Sequence, residues 1–228
     1  MAFSRKRHLI SDIGAEIAIV PECSKDSICE KVDDGFNCRW IGGRPRKKGL
    51  GVLVAKPWRI ARTGKPRNRW IFPLWIDGPT KFLLLAVWTM QVSGRGGKSY
   101  IGQAHEALSN NPEWMSNNRV IVAGDFNSNK IWDDERTTNG HSAVVKILAD
   151  CGIVSAYHEF FSEPQGEETR PTHYFWHRKS RGYHIDYVFL PSRWAKRIKI
   201  VEVGEHRRWA KLSDHVPLVV EVDLKRAR

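Results

Sequence analysis

The sequence predicts an α/β fold in which stacked sheets are covered by helices. Short apolar and β-branched runs recur along the chain, and segments of helical periodicity fall between them. A hydrophobic content of 41% in 228 residues suffices for one sizeable core, whereas two independent domains would be cramped. Residues 1–228 therefore read as a single domain, expected to be a monomer. Apolar runs without alternation belong to strands buried on both faces, which need cover on each side.

Taken in order, residues 5–14 read as a short amphipathic helix, and 16–20 as a compact apolar strand closed by Pro21 and Glu22. Strands follow at 51–55, 70–76 and 82–88, each bounded by Gly, Pro or charged turn residues. A helix covers 100–108, a β-branched strand 120–123, and a second helix 142–150. Strands at 183–190, 198–203 and 217–222 complete the pattern. No internal repeat, low-complexity tract or linker interrupts it.

The longest apolar stretch, Phe82 to Trp88, is far shorter than the roughly 20 residues that cross a bilayer. The N-terminus also lacks the apolar core of a signal peptide, so the reading is soluble, unexported and cytoplasmic, without a membrane partner. Cys23, Cys29, Cys38 and Cys151 lack the paired spacing of a zinc site and are sparse for a disulfide scaffold, so they read as buried free thiols. The formal net charge of +12 favours a polyanion, and nucleic acid is the leading partner over a merely solvated basic surface. Arg44, Arg46, Lys47 and Lys48 share one Gly/Pro-rich loop, while Arg62, Lys65, Arg67 and Arg69 form a second basic stretch. Trp40, Trp58 and Trp70 lie beside these charges, where they could stack bases; each taken singly fits an ordinary core position better.

The chemistry concentrates in three segments. In Val120-Ile-Val-Ala-Gly-Asp-Phe-Asn127 a buried strand delivers Asp125 and Asn127 two residues apart, a spacing that puts both on one face of an extended chain, where they could grip one water or phosphate. The same pair is equally a turn signal. Asp186 interrupts the β-prone run Tyr183-His-Ile-Asp-Tyr-Val-Phe189, and a carboxylate there needs a partner. Leu212-Ser-Asp-His-Val-Pro217 offers His215: an Asp–His pair fixes the imidazole tautomer and favours the imidazolium, which can bind a phosphate oxygen. Asp214, Glu22 and Asp125 add hard oxygen ligands of the kind Mg²⁺ prefers. His184 alternates with Asp186 and reads as a local hydrogen-bonding residue, while Pro171-Thr172-His173 could touch substrate or simply form a turn.

Pro21-Glu22, Gly124-Asp-Phe-Asn127, His184-Ile-Asp-Tyr187 and Ser213-Asp-His215 occur in order across nearly the whole chain. Together they resemble the endonuclease/exonuclease/phosphatase superfamily of exonuclease III-like and DNase I-like enzymes. The resemblance implies a four-layered α/β sandwich, two stacked mixed sheets flanked by helices, with the site at the strand ends between the sheets. It further implies that Glu22 binds Mg²⁺ with Asp214 close by, with Mn²⁺ as a substitute, and that Asp125, helped by Asn127, orients or deprotonates the attacking water. Asp186 would orient His215 on the scissile phosphate. Tyr100 resembles the phosphate-contacting tyrosine of the abasic-site enzymes, although a packed core tyrosine fits as well. Family members usually begin with a strand carrying a metal-site Asn, and the first recognisable element here is already the helix leading to Glu22. Three functions follow: a metal-dependent nuclease favouring DNA over RNA, which the basic loops Arg44–Lys48 and Arg62–Arg69 support, with Arg67 and Arg69 as binding residues; the same chemistry on a small phosphoester; and a nucleic-acid-binding module with impaired catalysis.

Overall fold

The computed structural model describes residues 3–29, 34–42, 48–68, 71–90, 100–116, 118–134, 136 and 138–224. Its strands are β1 (Ile17–Cys23), β2 (Phe36–Gly42), β3 (Gly49–Ala55), β4 (Arg59–Thr63), β5 (Ile71–Asp77), β6 (Phe82–Trp88), β7 (Val120–Asp125), β8 (Ile153–Ser155), β9 (His173–Tyr174), β10 (Gly182–Tyr183), β11 (Asp186–Pro191), β12 (Ile198–Val203) and β13 (Leu218–Val222). Its α-helices are α1 (His8–Asp12), α2 (Lys25–Ile28), α3 (Tyr100–Ser109), α4 (His141–Asp150), α5 (Ala156–Phe161), α6 (Ser192–Ala195) and α7 (His206–Trp209). None is long and apolar enough to cross a membrane.

Six strands form one mixed sheet in the order β4-β5-β6-β7-β11-β8, in which only β6 and β7 run parallel. A parallel neighbour demands a crossover, and the segment containing α3 makes it. β6 is buried along its whole length, and successive side chains divide between two cores. Leu83, Leu85 and Val87 join Ala104 and Leu108 of α3 and Val144 and Leu148 of α4. Phe82, Leu84, Ala86 and Trp88 meet Leu50, Val52 and Val54 of β3 in the other core. Each fully buried side chain of this size contributes roughly 1.5–3 kcal/mol.

The layer facing that second core is the antiparallel sheet β1-β3-β2, together with the antiparallel pair β12-β13, whose Val220 and Val222 pack on the same cluster. Among the described residues, β1 is paired along one edge only, to β3, and β13 only to β12. On the far side, Ile10 of α1 and Ile28 of α2 cover Leu53 and Cys23. The result is four layers: helices, six-stranded sheet, second sheet layer, helices.

Most of the predicted elements are present, with β6 and β12 at the expected residues. Four differences have physical causes. β2 went unread although Phe36, Cys38 and Trp40 alternate with exposed Asn37 and Arg39, the period-two signature of a half-buried strand. β4 is an exposed edge strand whose Arg59, Ala61, Arg62 and Thr63 give it no apolar signal. β1 runs through Pro21 and Glu22 instead of stopping before them, because a register shift between Val20 and Cys23 accommodates both. The expected 183–190 strand divides into β10 and β11, since His184 turns inward to bond a loop.

The cysteine reading is corrected in part. Cys29 and Cys38 form a disulfide with Cα atoms 5.4 Å apart, because β2 returns alongside the end of α2. Cys23 is a buried free thiol, pushed up to about 12 by burial, and Cys151 is exposed. Trp58 takes a core position, its Nε1 donating to Glu16 Oε2 at 2.8 Å, and half-buried Trp40 donates to the Cys23 carbonyl at 3.1 Å.

Candidate active site

The site assembles where β7 and β11 end side by side. Asp125 and Asp186 are direct partners across this antiparallel ladder, and Trp88 lies opposite Asp125 on the other side of β7. Gly124 sits at φ +135°, and a Cβ there would come within 2.1 Å of the Val87 carbonyl, so only glycine lets β7 approach β6 this closely. Asp125 is 3% exposed. Asn127 has φ +44° and leaves the strand, so extended-chain alternation does not explain the pairing. A turn does: the Asn127 backbone N–H donates to Asp125 Oδ1 and its side-chain Nδ2 to Oδ2, both at 2.8 Å. Nδ2 also donates to the Thr89 carbonyl at 3.0 Å, tying the turn to the end of β6.

Thr172 fixes the second carboxylate. Fully buried, its Oγ1 accepts the backbone N–H of both Ile185 and Asp186 at 3.0 Å, and its carbonyl accepts the N–H of Val216 at 2.8 Å. One residue thereby joins the Asp186 strand to the Ser213-Asp-His215 segment. Asp186 Oδ2 lies 2.9 Å from His215 Nδ1. Ligand atoms of Asp125, Asp186 and His215 all fall within 4.8 Å of one another. Burial works against charge on His215, but Asp186, with Asp125 and Asp214, outweighs it and raises the imidazole from 6.5 to about 10. It is therefore an imidazolium at neutral pH. Burial, reinforced by the charges of Asp186 and Glu22, pushes the Asp125 carboxyl up to about 8 against the opposing pull of His215.

Glu22 has φ +56°, a left-handed backbone that a non-glycine residue adopts at a cost, and its exposed carboxylate pairs with Lys48. Asp214 is held well below the usual carboxylate range, first by its pairing with neighbouring His173 and then by the charge of His215. His173 Nε2 lies 3.8 Å from Asp214 Oδ2, and its ring centroid is 4.6 Å from that of His215. Burial and the neighbouring charges of Asp186 and Glu22, which raise the proton affinity of Asp125, mark a hard-oxygen site that fits a divalent cation, which would relieve the repulsion.

A buried network that no sequence motif marks supports this geometry. Asn129 Nδ2 lies 2.9 Å from the His184 carbonyl, 3.0 Å from Glu168 Oε2 and 3.1 Å from the Tyr187 hydroxyl. Glu168 is buried, which disfavours its charge, yet hydrogen bonds from His158 and Asn129 hold it down at about 2. The His184 reading was sound: Nδ1 donates to the Arg170 carbonyl at 2.8 Å.

Other expected residues are placed less centrally. Tyr100 opens α3 on the surface, and no hydrogen bond or ion pair joins it to the cluster among the described residues. Arg62 lies over the Trp75 ring at 3.6 Å, and Arg67 donates to Asn111 Oδ1 at 3.0 Å. Arg44, Arg46, Lys47, Arg69 and Trp70 lie outside the described residues.

A basic, aromatic surface that sequence reasoning missed adjoins His215. The loop between β9 and β10 carries Phe175 and Trp176, stacked at 4.7 Å, with Trp176 63% exposed. The Arg181 and Arg178 guanidinium groups lie 5.0 and 5.6 Å from the Trp176 ring. Trp176 and His177 both have φ +56°, and two contacts hold the loop: His177 Nδ1 to the Ala210 carbonyl and His206 Nε2 to the His177 carbonyl, each 2.9 Å. Arg178, Lys179, Arg181, Arg207, Arg208 and Lys211 are as dense in the sequence as the loops that were singled out, and the interleaved tryptophans were the available signal.

The endonuclease/exonuclease/phosphatase family pattern matches residues 7–215. The chain belongs to this family. Its members are hydrolases of phosphoester bonds, and the four-layered architecture agrees with the DNase I-like fold of its structural neighbours. The endonuclease domain of TRAS1, a telomere-specific non-LTR retrotransposon, superposes with a TM-score of 0.69 at 16% identity, covering 99% of this chain and 93% of that one. An AP endonuclease from Archaeoglobus fulgidus gives 0.70 at 15% identity, covering 96% and 95%. The 3'-5' exonuclease NExo from Neisseria meningitidis gives 0.66 at 17%, covering 96% and 93%. At these identities the likeness establishes a shared fold. No curated protein matches the sequence.

Proposed function

We propose that this family member is a divalent-metal-dependent nuclease, with DNA favoured over RNA. The observation that carries the reading is the Asp186–His215 pair set against buried Asp125, one group charged to meet phosphate and one able to take a proton. Asp125 accepts the proton of the attacking water, and Asn127 holds both carboxylate oxygens in place through its two 2.8 Å hydrogen bonds. Asp186 fixes the tautomer and orientation of His215, whose second ring nitrogen donates to an oxygen of the scissile phosphate and stabilises charge in the transition state. Glu22 and Asp214 would hold the cation, Mg²⁺ or Mn²⁺, which supplies Lewis-acid stabilisation of the phosphate and draws Asp125 toward its anionic form.

The aromatic, arginine-rich loop beside His215 and the net charge of +12 favour a polymer over a small phosphoester, which would leave that surface idle. The test is incubation with end-labelled and circular DNA, RNA, an abasic duplex and a small phosphomonoester, with Mg²⁺ or EDTA. Cation-dependent cleavage of a polynucleotide is the expected outcome. Turnover of the phosphomonoester alone would transfer the site to small substrates, and no turnover with intact binding would make the chain a binding module.

A further inference from the structure

We propose that Trp132, backed by Tyr183, is a stacking ledge for an unpaired base of the strand that carries the scissile phosphate, so that the preferred substrate carries a locally single-stranded or frayed nucleotide. The inference rests on the nuclease reading above and names the substrate form for that same site.

Trp132 ends the short 3₁₀ turn Lys130–Trp132, which begins three residues beyond Asn127. This turn is anchored: Asn129 caps it by accepting the Ile131 backbone N–H at 3.0 Å, while the Asn129 amide is bound to buried Glu168. Two large apolar side chains are nonetheless turned outward, Ile131 at 52% and Trp132 at 51% exposed. A fixed turn that presents apolar surface to water gives up burial energy that an inward rotation would recover.

The location is specific. The Trp132 ring packs on Tyr183 at 5.2 Å and 49°, which stiffens it without covering it. Tyr183 is the ladder partner of His173, and the His173 ring lies 4.6 Å from His215. The exposed indole is thus linked to His215 by three successive contacts, through Tyr183 and His173, and lies on the segment that follows Asp125 and Asn127. A rigid π-surface joined to the site through those contacts fits a base of the bound strand, provided the base has left its own stack. A paired base inside a duplex keeps its faces covered and gains nothing from the ledge.

Stacking is uncharged, so its removal changes affinity without changing the salt slope, which counts phosphate contacts. Binding is measured in the cleavage-suppressed Asp125→Asn protein by fluorescence anisotropy, with labelled oligothymidylate and a base-free deoxyribose-phosphate chain of equal length. Adding Trp132→Ala should weaken oligothymidylate about five- to a hundredfold, the range for one stacked base. Trp132→Phe should recover most of the loss, the base-free chain should change less than about twofold, and the slope against log salt should stay the same. Equal weakening of both chains, or unaltered oligothymidylate binding, would overturn the ledge while leaving the nuclease reading in place. If the Asp125→Asn parent binds neither chain, the nucleic-acid reading falls and the ledge with it.

Discussion

Replacing Asp186 by Asn isolates the electrostatic half of the candidate mechanism, because the amide keeps an acceptor for His215 Nδ1 and loses the charge. Asp186 at 2.9 Å is the largest influence raising His215 from 6.5 to about 10 against burial. At about 1.4 kcal/mol per tenfold change in proton affinity, this span sets an upper limit of about 5 kcal/mol. The imidazole is 32% exposed, and screening by the water that reaches it lowers a realistic value to about 2–3 kcal/mol. A group whose folded affinity for protons is raised contributes its full stability below its unfolded value of 6.5 and loses it as the pH climbs through about 10. Wild type should therefore be more stable than Asp186→Asn by about 2–3 kcal/mol at pH 6, and the two should converge above pH 10. In the variant only Asp125 and Asp214 oppose burial, and His215 should titrate below its wild-type value. Removing the Asp186 charge should also lower the Asp125 carboxyl. Urea unfolding from pH 6 to pH 10.5 and NMR titration of the His215 ring carbons measure both effects. Cleavage at neutral pH should fall by about 10²–10⁴ with the loss of the imidazolium. A His215 titration unchanged by the substitution, or a stability difference as large at pH 10.5 as at pH 6, would refute the pairing argument.

Three further outcomes are expected. Glu22→Gln should weaken Mn²⁺ binding about tenfold in a paramagnetic titration, since a hard anionic ligand is lost, and wild-type affinity would exclude Glu22 as a ligand. Asn129→Ala should cost about 1–3 kcal/mol in urea unfolding by depriving buried Glu168 of a donor, and should lower kcat more than it raises KM; an unchanged kcat in the folded variant would make the network purely structural. Replacing Cys29 and Cys38 by serine, or adding reductant, should cost about 2–3 kcal/mol given the nine-residue separation, and equal melting temperatures with and without reductant would show that no bond forms.

The sequence by itself determined the family and the frame of the fold. The short, unalternating apolar run Phe82–Trp88 reads as a strand buried on both faces, and the candidate residues Glu22, Asp125, Asn127, Asp186 and His215 were legible because polar groups in or beside apolar runs stand out. Half-exposed elements were hard to see: β2 alternates only over Phe36–Trp40 before Ile41 breaks the period, and β4 presents mostly polar and small side chains. Only the tertiary structure decided how the parts act together. Asp125 faces Asp186 because β7 and β11 pair in one particular register, and no local property of either segment specifies that register. The role of Thr172 depends on three segments meeting at one hydroxyl and one carbonyl, and that of Glu168 on donors more than nine residues away in the chain. The proton affinities of Asp125 and His215 follow from burial and neighbouring charge, quantities that exist only once the chain has folded. The same holds for the tryptophans. Trp58 and Trp132 each follow a lysine by two residues, and packing placed one in the core and left the other on the surface.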